Sequence, residues 1–176
     1  MTPDNNYHKA MNYCTLCGNI DVPINNDSLC NMCDVDKINL VIDDLYISSV
    51  NGANNIDELM DLNITHIVSA MPNIPNKIKK NDFICKHINV EDDCNQDISQ
   101  YFDQVIDFIK SNKNSTLVHC IGGVSRSATL VIAYLMKEYR MTYDLAYSFL
   151  KLKRPIIFPN DGFKRQLQKY EHLLAL

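Results

Sequence analysis

Short apolar runs alternate with longer amphipathic stretches through most of the chain. Runs rich in β-branched and aromatic residues, bounded by Asn, Pro, Asp or Gly, predict strands at 44–48, 64–69, 83–90 and 115–119. Apolar residues at helical spacing predict helices at 54–62, 97–111, 125–139, 142–153 and 160–173. This alternation predicts an α/β fold in which helices flank a central, mostly parallel sheet. A reactive loop is then expected at the carboxyl end of a strand.

The predicted helix at 97–111 has one apolar face. Its members are Ile98, Phe102, Val105, Ile106 and Ile109. Such a stripe packs on a core, so these residues are assigned to folding rather than to function. Thr142 and Asn160 stand at the start of the last two predicted helices and suit N-caps, because their side-chain oxygens accept from the free amides of a first turn.

Composition is that of an ordinary globular protein. The 176 residues are 46% hydrophobic and 22% charged, which allows one full hydrophobic core and a small appendage. The formal net charge of -4 means that the chain has no excess of basic residues of the kind that binds nucleic acid. No apolar run is long enough to cross a bilayer, and the polar start of the sequence lacks the apolar core of a signal peptide. We therefore expect a cytoplasmic protein, in a reducing compartment, without nucleic-acid or membrane partners.

Basic residues form two local patches, at 77–80 and at 151–154. Patches of this kind usually belong to a solvated face of the protein. Either patch could also help to steer an anionic substrate toward a site elsewhere on the surface.

The strongest chemical pattern is Val118–Ser127, where a predicted strand leads into a cysteine, a glycine turn and an arginine that opens a helix. Gly122 and Gly123 allow positive φ, so the backbone can curl until successive N–H groups point at one spot. The amides and the dipole of the following helix favour an anion there. Cys120 lies at the base of this cradle, where the same field favours the nucleophilic thiolate. The planar guanidinium of Arg126 can bind two phosphoryl oxygens at once.

The other residues of this segment are expected to assist. His119 is expected to orient the loop and to stabilise the thiolate by hydrogen bonding. Ser127 is expected to donate to the sulfur, which makes the sulfur a better leaving group. The alternative is an inert core thiol beside a surface arginine, but chance rarely combines a thiol, glycines, a guanidinium and a helix start. The expected substrate-binding residues are Ile121, Gly122, Gly123, Val124, Ser125 and Arg126.

The spacing of His119, Cys120, Gly123, Arg126 and Ser127 resembles the signature loop of the cysteine-dependent protein phosphatases, and among them the small dual-specificity phosphatases. Segments at 45–49, 62–68 and 154–167 are similar to other parts of that family, so the resemblance covers roughly 37–174. It implies hydrolysis of phosphotyrosine and phosphoserine or phosphothreonine in proteins through a cysteinyl-phosphate intermediate. It also implies that catalysis needs no cofactor.

Such an enzyme needs a proton donor for the leaving oxygen. In the family this acid lies on a loop after a strand and before an amphipathic helix, and the matching position here is Asp92. Glu91 and Asp93 are close enough in sequence to compete for the role. A purely structural interpretation has Asp97 capping the helix and the other carboxylates solvated.

Two Cys-x-x-Cys pairs precede the region of resemblance. Cys14, Cys17, Cys30 and Cys33 have the spacing of two knuckles that place four sulfurs around one metal, and zinc is the expected ion. Disulfides or free thiols are the alternatives. We therefore predict a zinc-binding module at 1–36 and a catalytic domain at 37–176. The module could recruit a protein partner, steady the catalytic domain or dimerise.

The substrate class is narrowed by what the loop lacks. Residues 121–125 carry no charge, which disfavours a polyphosphorylated inositol lipid, and the acidic balance disfavours RNA 5′ ends. Phosphoproteins are the expected substrates, and the absence of a deep-pocket tyrosine segment favours dual specificity. A different class of function remains open here, namely a phosphate-binding scaffold that acts through its zinc module.

Overall fold

The computed structural model describes residues 34–79 and 81–176. Within them five strands form one sheet: β1 (Asn39–Ile42), β2 (Leu45–Ser48), β3 (Ile64–Ala70), β4 (Ile84–Ile88) and β5 (Ser115–His119). Their spatial order is β1-β2-β5-β3-β4. Strands β1 and β2 are antiparallel, and all the other neighbours are parallel.

Helices cover both faces of this sheet. They are α1 (Val50–Ala53), α2 (Ile56–Asp61), α3 (Asn76–Lys79), α4 (Phe102–Ser111, after a 3-10 turn at Ser99–Tyr101), α5 (Arg126–Tyr139), α6 (Tyr143–Lys153) and α7 (Asp161–Leu174). The predicted α/β architecture with a mostly parallel sheet is therefore confirmed. Among the helices that the structure describes, none is long and apolar enough to cross a membrane.

The sequence pattern did not predict β1, α1 or α3. At the start of β1 the usual rule that apolar residues are buried and polar residues are exposed does not hold. Polar Asn39 is buried, while apolar Leu40 is 49% exposed. Asn39 is stabilised inside by a hydrogen bond from Arg154 Nη1 to its Oδ1 (2.6 Å). A four-residue strand that buries one polar residue, stabilised by an arginine far away in the sequence, gives no clear period-two signal.

Strand β5 lies at the centre of the sheet, and all five of its residues are buried. Val118 belongs to the core cluster that also contains buried residues of α4, α5, α6 and α7. Leu117 belongs to the smaller cluster on the opposite face, with buried residues of α1, α2 and α3. The loop that follows β5 therefore starts from the most enclosed strand, which fixes the position of its first residue.

The predicted N-caps of the last two helices are confirmed. Thr142 accepts from the amide of Leu145 (3.3 Å), and Asn160 accepts from the amide of Phe163 (2.9 Å). Helix α5 differs, because the side chain of its N-cap residue, Ser125, makes no cap hydrogen bond. The first turn of α5 thus keeps its free amides available for another acceptor.

Candidate functional site

Cys120 is the first residue after β5, and only 1% of its surface is exposed. Its sulfur accepts a hydrogen bond from the amide of Gly123 (3.2 Å) and lies 3.2 Å from Ser127 Oγ. The cysteine therefore sits at the base of the loop formed by residues 120–125, facing its interior. Both neighbours are the kind of donor that stabilises a thiolate.

Of the two glycines in this loop, only Gly123 has a backbone conformation and surroundings that require glycine. Its φ is +65°, and a Cβ there would lie 2.5 Å from Ser48 O and 2.5 Å from Arg154 Nη2. A side chain at this position would therefore strain the backbone and collide with β2. Gly122 has no such close contact, since its nearest neighbour to a Cβ would be Val124 Cγ2 at 3.5 Å.

The carbonyl groups of residues 121–124 turn outward from the loop. In a planar trans peptide the C=O and the following N–H point in opposite directions, so outward carbonyls place the next amides inside the loop. This arrangement makes an inward ring of N–H groups, which is an anion site. The donors that bind the carbonyls from outside are Val50 N to Ile121 O (3.0 Å), Arg154 Nη2 to Gly122 O (3.3 Å), Arg154 Nε to Gly123 O (2.8 Å) and Phe158 N to Val124 O (2.8 Å).

Arg126 is the first residue of α5, and its side chain is 5% exposed. Nη1 donates to Val90 O (3.2 Å), and Nε lies 3.8 Å from Asp92 Oδ2. Nε is buried and has no hydrogen-bond partner among the described residues. A guanidinium that is anchored at one nitrogen and has an unused donor at another is ready to bind the oxygens of an anion in the loop.

Asp92 lies beside the loop, as the sequence predicted. Its Oδ1 accepts from Ser125 Oγ (2.7 Å) and from Asn160 Nδ2 (2.9 Å), and 38% of its side chain is exposed. Asp93 instead accepts from the amide of Asn95 (2.7 Å) within its own turn. Of the competing acids, the structure therefore brings Asp92 to the loop and leaves Asp93 in a local turn.

His119 is fully buried, but it does not contact the sulfur as expected. Its Nδ1 lies 3.4 Å from Cys120 O, and its Nε2 has no hydrogen-bond partner among the residues described. Burial lowers the pKa of this imidazole to about 4, so the ring is neutral at physiological pH. The expected hydrogen bond to the thiolate is corrected to a contact with the backbone, because successive residues of a strand point to opposite faces.

The family comparison agrees with this geometry. A family model described as dual specificity phosphatase, catalytic domain, matches residues 45–173. The chain belongs to this family. It is therefore a protein phosphatase of the dual-specificity class, which is a class of phosphoric monoester hydrolases. Phosphatases of this class act on phosphoproteins and need no cofactor for catalysis.

The proteins similar to this phosphatase differ in length, so the share of each one that aligns with this chain also differs. This chain is 42% identical over 135 residues to dual specificity protein phosphatase 1 of Arabidopsis thaliana. The aligned region covers 75% of this chain and 68% of that protein. The chain is 40% identical over 164 residues to dual specificity protein phosphatase 1-A of Xenopus laevis, covering 89% of this chain and 44% of that one. The crystal structure of human DUSP28 superposes with a TM-score of 0.75 at 27% identity, covering 79% of this chain and 95% of that chain.

Sequence analysis missed Arg154 as a part of this phosphatase's active site. Its side chain was expected on a solvated basic face, but the residue is 0% exposed. Besides binding Gly122 O and Gly123 O, it donates from Nη2 to Val35 O (2.7 Å) and from Nη1 to Lys37 O (3.0 Å). One guanidinium thus ties the back of the phosphate loop to the chain that leads into β1.

Arg154 keeps its charge in this buried position. Burial lowers its pKa to about 10, while Cys120, Asp34 and Asp36 act in the opposite direction. It is therefore still a cation at neutral pH, and its charge lies behind the phosphate loop. Its only sequence signal was its place at the start of the 154–167 segment that resembles the family.

The acid loop is held by helix α7 through a second residue that sequence analysis did not assign. Gln166 Oε1 accepts from the amides of Ile98 (2.9 Å) and Ser99 (3.0 Å), and its Nε2 donates to Gln96 O (2.7 Å). Gly162 lets the same helix approach closely, since a Cβ there would lie 2.0 Å from Cys94 O. These contacts fix the segment that carries Asp92 against the rest of the domain.

The four cysteines of the predicted zinc module, Cys14, Cys17, Cys30 and Cys33, lie outside the described residues. Within the part of the chain that is described, Cys85, Cys94 and Cys120 are free thiols. No group of three or more His, Cys, Asp or Glu side chains in that part could hold a metal ion.

Proposed function

We propose that the domain at 37–176 removes phosphate from tyrosine and from serine or threonine in proteins by two displacements at phosphorus. In the first, the Cys120 thiolate forms an S–P bond while the bond to the substrate oxygen breaks and Asp92 gives that oxygen a proton. In the second, a water attacks phosphorus, Asp92 takes a proton from that water, and the S–P bond breaks to release inorganic phosphate.

The other loop residues stabilise the charge that moves through these steps. Arg126 and the inward amides of 122–125 bind the three non-bridging oxygens, and they bind most tightly at the transition state. Ser127, 3.2 Å from the sulfur, donates to it as it leaves in the second step. His119 acts by positioning the Cys120 backbone. The observation that carries the proposal is the meeting of one buried thiol, one unused guanidinium donor and one carboxyl at a single loop.

Protein substrates suit the surface around this loop. Ile121 is 51% exposed and Phe158 is 59% exposed, so apolar side chains flank the opening. The loop residues 121–125 carry no charge, and a polyphosphorylated lipid headgroup would need additional cations there. Exposed apolar side chains beside an uncharged phosphate loop favour a phosphorylated side chain presented by a peptide.

Asp92→Asn tests the assignment of the general acid. We expect the rate on phenyl phosphate, whose leaving group needs a proton, to fall by about 10² to 10⁴. The loss on p-nitrophenyl phosphate should be much smaller, because that leaving group departs without protonation. Steady-state kinetics with both substrates measure the difference.

Asp93→Asn is the matched control, since it removes the same charge one residue away. Its rates on both substrates should stay near those of the wild type. A loss that is equal for both substrates in Asp92→Asn, or a larger loss in Asp93→Asn, would move the proton donor away from Asp92.

We propose further that Cys14, Cys17, Cys30 and Cys33 bind one structural zinc in a module that precedes the catalytic domain. Residues 35 and 36 contact that domain, through Arg154 and Ser49, and are not counted in the module. The support is the spacing of the two cysteine pairs and the chemistry of four thiolates. Thiolate ligands persist in a reducing compartment, which fits a cytoplasmic location. The role we propose for this module is the recruitment of a protein partner.

Metal analysis tests the zinc proposal directly. Full-length protein purified without chelator should contain about one zinc per chain, and a variant with Cys14→Ser and Cys17→Ser should contain none. The same zinc content in both proteins, or metal-free wild type, would contradict the proposal. Activity on p-nitrophenyl phosphate should be similar in both, because the module lies outside the catalytic domain.

A further inference from the structure

A groove of about 560 Å³ runs from the proposed general acid toward helix α7. Asp92 and Val124 line the end next to the phosphate loop, and Asp161 and Arg165 line the end on the helix. Phe158, which is 59% exposed, also lines the groove. A peptide whose phosphorylated side chain enters the loop would have a neighbouring residue over this groove.

The two carboxylates in the groove already have partners. Asp92 accepts two hydrogen bonds and lies 3.8 Å from Arg126, and Asp161 pairs with Lys164 at 3.1 Å. Arg165 is exposed and makes no hydrogen bond or ion pair with the residues that the structure describes. The uncompensated charge of the groove is therefore positive, and it belongs to Arg165.

The main apolar side chain that lines the groove, Phe158, is held in place by two contacts. Phe158 is tied to the phosphate loop by its amide, which donates to Val124 O (2.8 Å). Lys164 Nζ lies over the Phe158 ring, 4.0 Å from its centroid, which holds the ring between the loop and α7. Its outer surface is left for contact with a ligand. An apolar surface next to an unpaired guanidinium fits a peptide segment with an apolar and an anionic group.

We propose that Arg165 binds an anionic group of the substrate peptide, a carboxylate or a second phosphate, at a position close to the phosphorylated residue that enters the loop. This inference rests on the proposed function and adds a sequence preference to it. A guanidinium recognises either anion by two parallel hydrogen bonds. Because the site lies at the exposed rim, we expect a gain of about 3- to 10-fold in kcat/KM rather than a larger one.

The experiment uses the full chain and a set of phosphotyrosine peptides. One glutamate is moved through the positions on either side of phosphotyrosine, and each peptide is compared with its glutamine counterpart. A second set of peptides carries phosphothreonine in place of glutamate. In this set, tyrosine fluorescence measures the hydrolysis of phosphotyrosine. We expect one flanking position at which the anion raises kcat/KM, mainly through KM. The larger of the two gains identifies carboxylate or phosphate as the better ligand.

Arg165→Gln should abolish the preference at that position and leave the rate on phenyl phosphate unchanged. Lys169→Gln, which removes the same charge from an exposed position of α7 outside the groove, should retain the preference. The inference is overturned if no position prefers the anion over glutamine or if the preference survives in Arg165→Gln. Wild-type protein that is inactive on phenyl phosphate would instead contradict the proposed function, so the two failures are distinct.

Discussion

Cys120→Ser should lower the rate of phenyl phosphate hydrolysis by roughly 10⁴-fold or more, because it replaces a thiolate by a hydroxyl that is not ionised at neutral pH. The substitution changes one buried atom and keeps a hydrogen-bonding group near Gly123 and Ser127. The fold and the anion site should therefore persist. Initial rates at saturating substrate measure the effect on the chemical step.

Binding separates this loss of chemistry from a loss of the site. Cys120→Ser should bind inorganic phosphate or a phosphotyrosine peptide with an affinity near that of the wild type, because Arg126 and the loop amides remain. Equal and negligible hydrolysis by the wild type and by Cys120→Ser would support a phosphate-binding scaffold. Full activity in Cys120→Ser would remove the cysteine from the reaction.

Arg154→Met should lower the free energy of unfolding by about 3 to 5 kcal/mol, because it leaves several buried or partly buried oxygen acceptors without their donor, at about 1 to 3 kcal/mol for each fully buried one. The acceptors are Gly122 O, Gly123 O, Val35 O, Lys37 O and Asn39 Oδ1. Urea denaturation followed by circular dichroism measures the change. Variant protein that is still folded should have a kcat about 10²-fold lower, since carbonyls released from Arg154 would disturb the amide ring.

Arg140→Met is the matched control for this prediction. Arg140 is exposed at the end of α5, so its substitution should change the free energy of unfolding by no more than about 0.5 kcal/mol. An Arg154→Met variant that unfolds at the same urea concentration as wild type, or that keeps full kcat when folded, would show that the loop does not depend on this guanidinium.

The parts of the fold and site that could be predicted are those encoded locally. The phosphate loop combines strand, thiol, glycines and arginine within ten consecutive residues, Val118–Ser127, so its chemistry is visible in the sequence. Asp92 could be proposed because the family that the sequence resembles has its acid on a loop between a strand and an amphipathic helix. The helix N-caps at Thr142 and Asn160 were predictable for the same reason, since a cap acts on the amides of its own first turn.

Features that depend on contacts distant in sequence could not be predicted. Arg154 binds the chain at positions 115 to 119 residues away, and without those partners it is one more basic residue in a patch. Gln166 contacts a loop 67 to 70 residues away. His119 was expected to form a hydrogen bond to the thiolate, whereas its ring nitrogen Nδ1 lies near the backbone oxygen of Cys120.

The central claim is that phosphate passes through a covalent bond to Cys120. Mass spectrometry of enzyme quenched in acid during turnover tests it, and Ser127→Ala is used because loss of its donor should slow breakdown of the S–P bond. We expect one phosphoryl group on the peptide that contains Cys120, more of it in Ser127→Ala than in wild type, and none in Cys120→Ser. Turnover without any phosphorylated Cys120, or a phosphoryl group that persists in Cys120→Ser, would contradict the account.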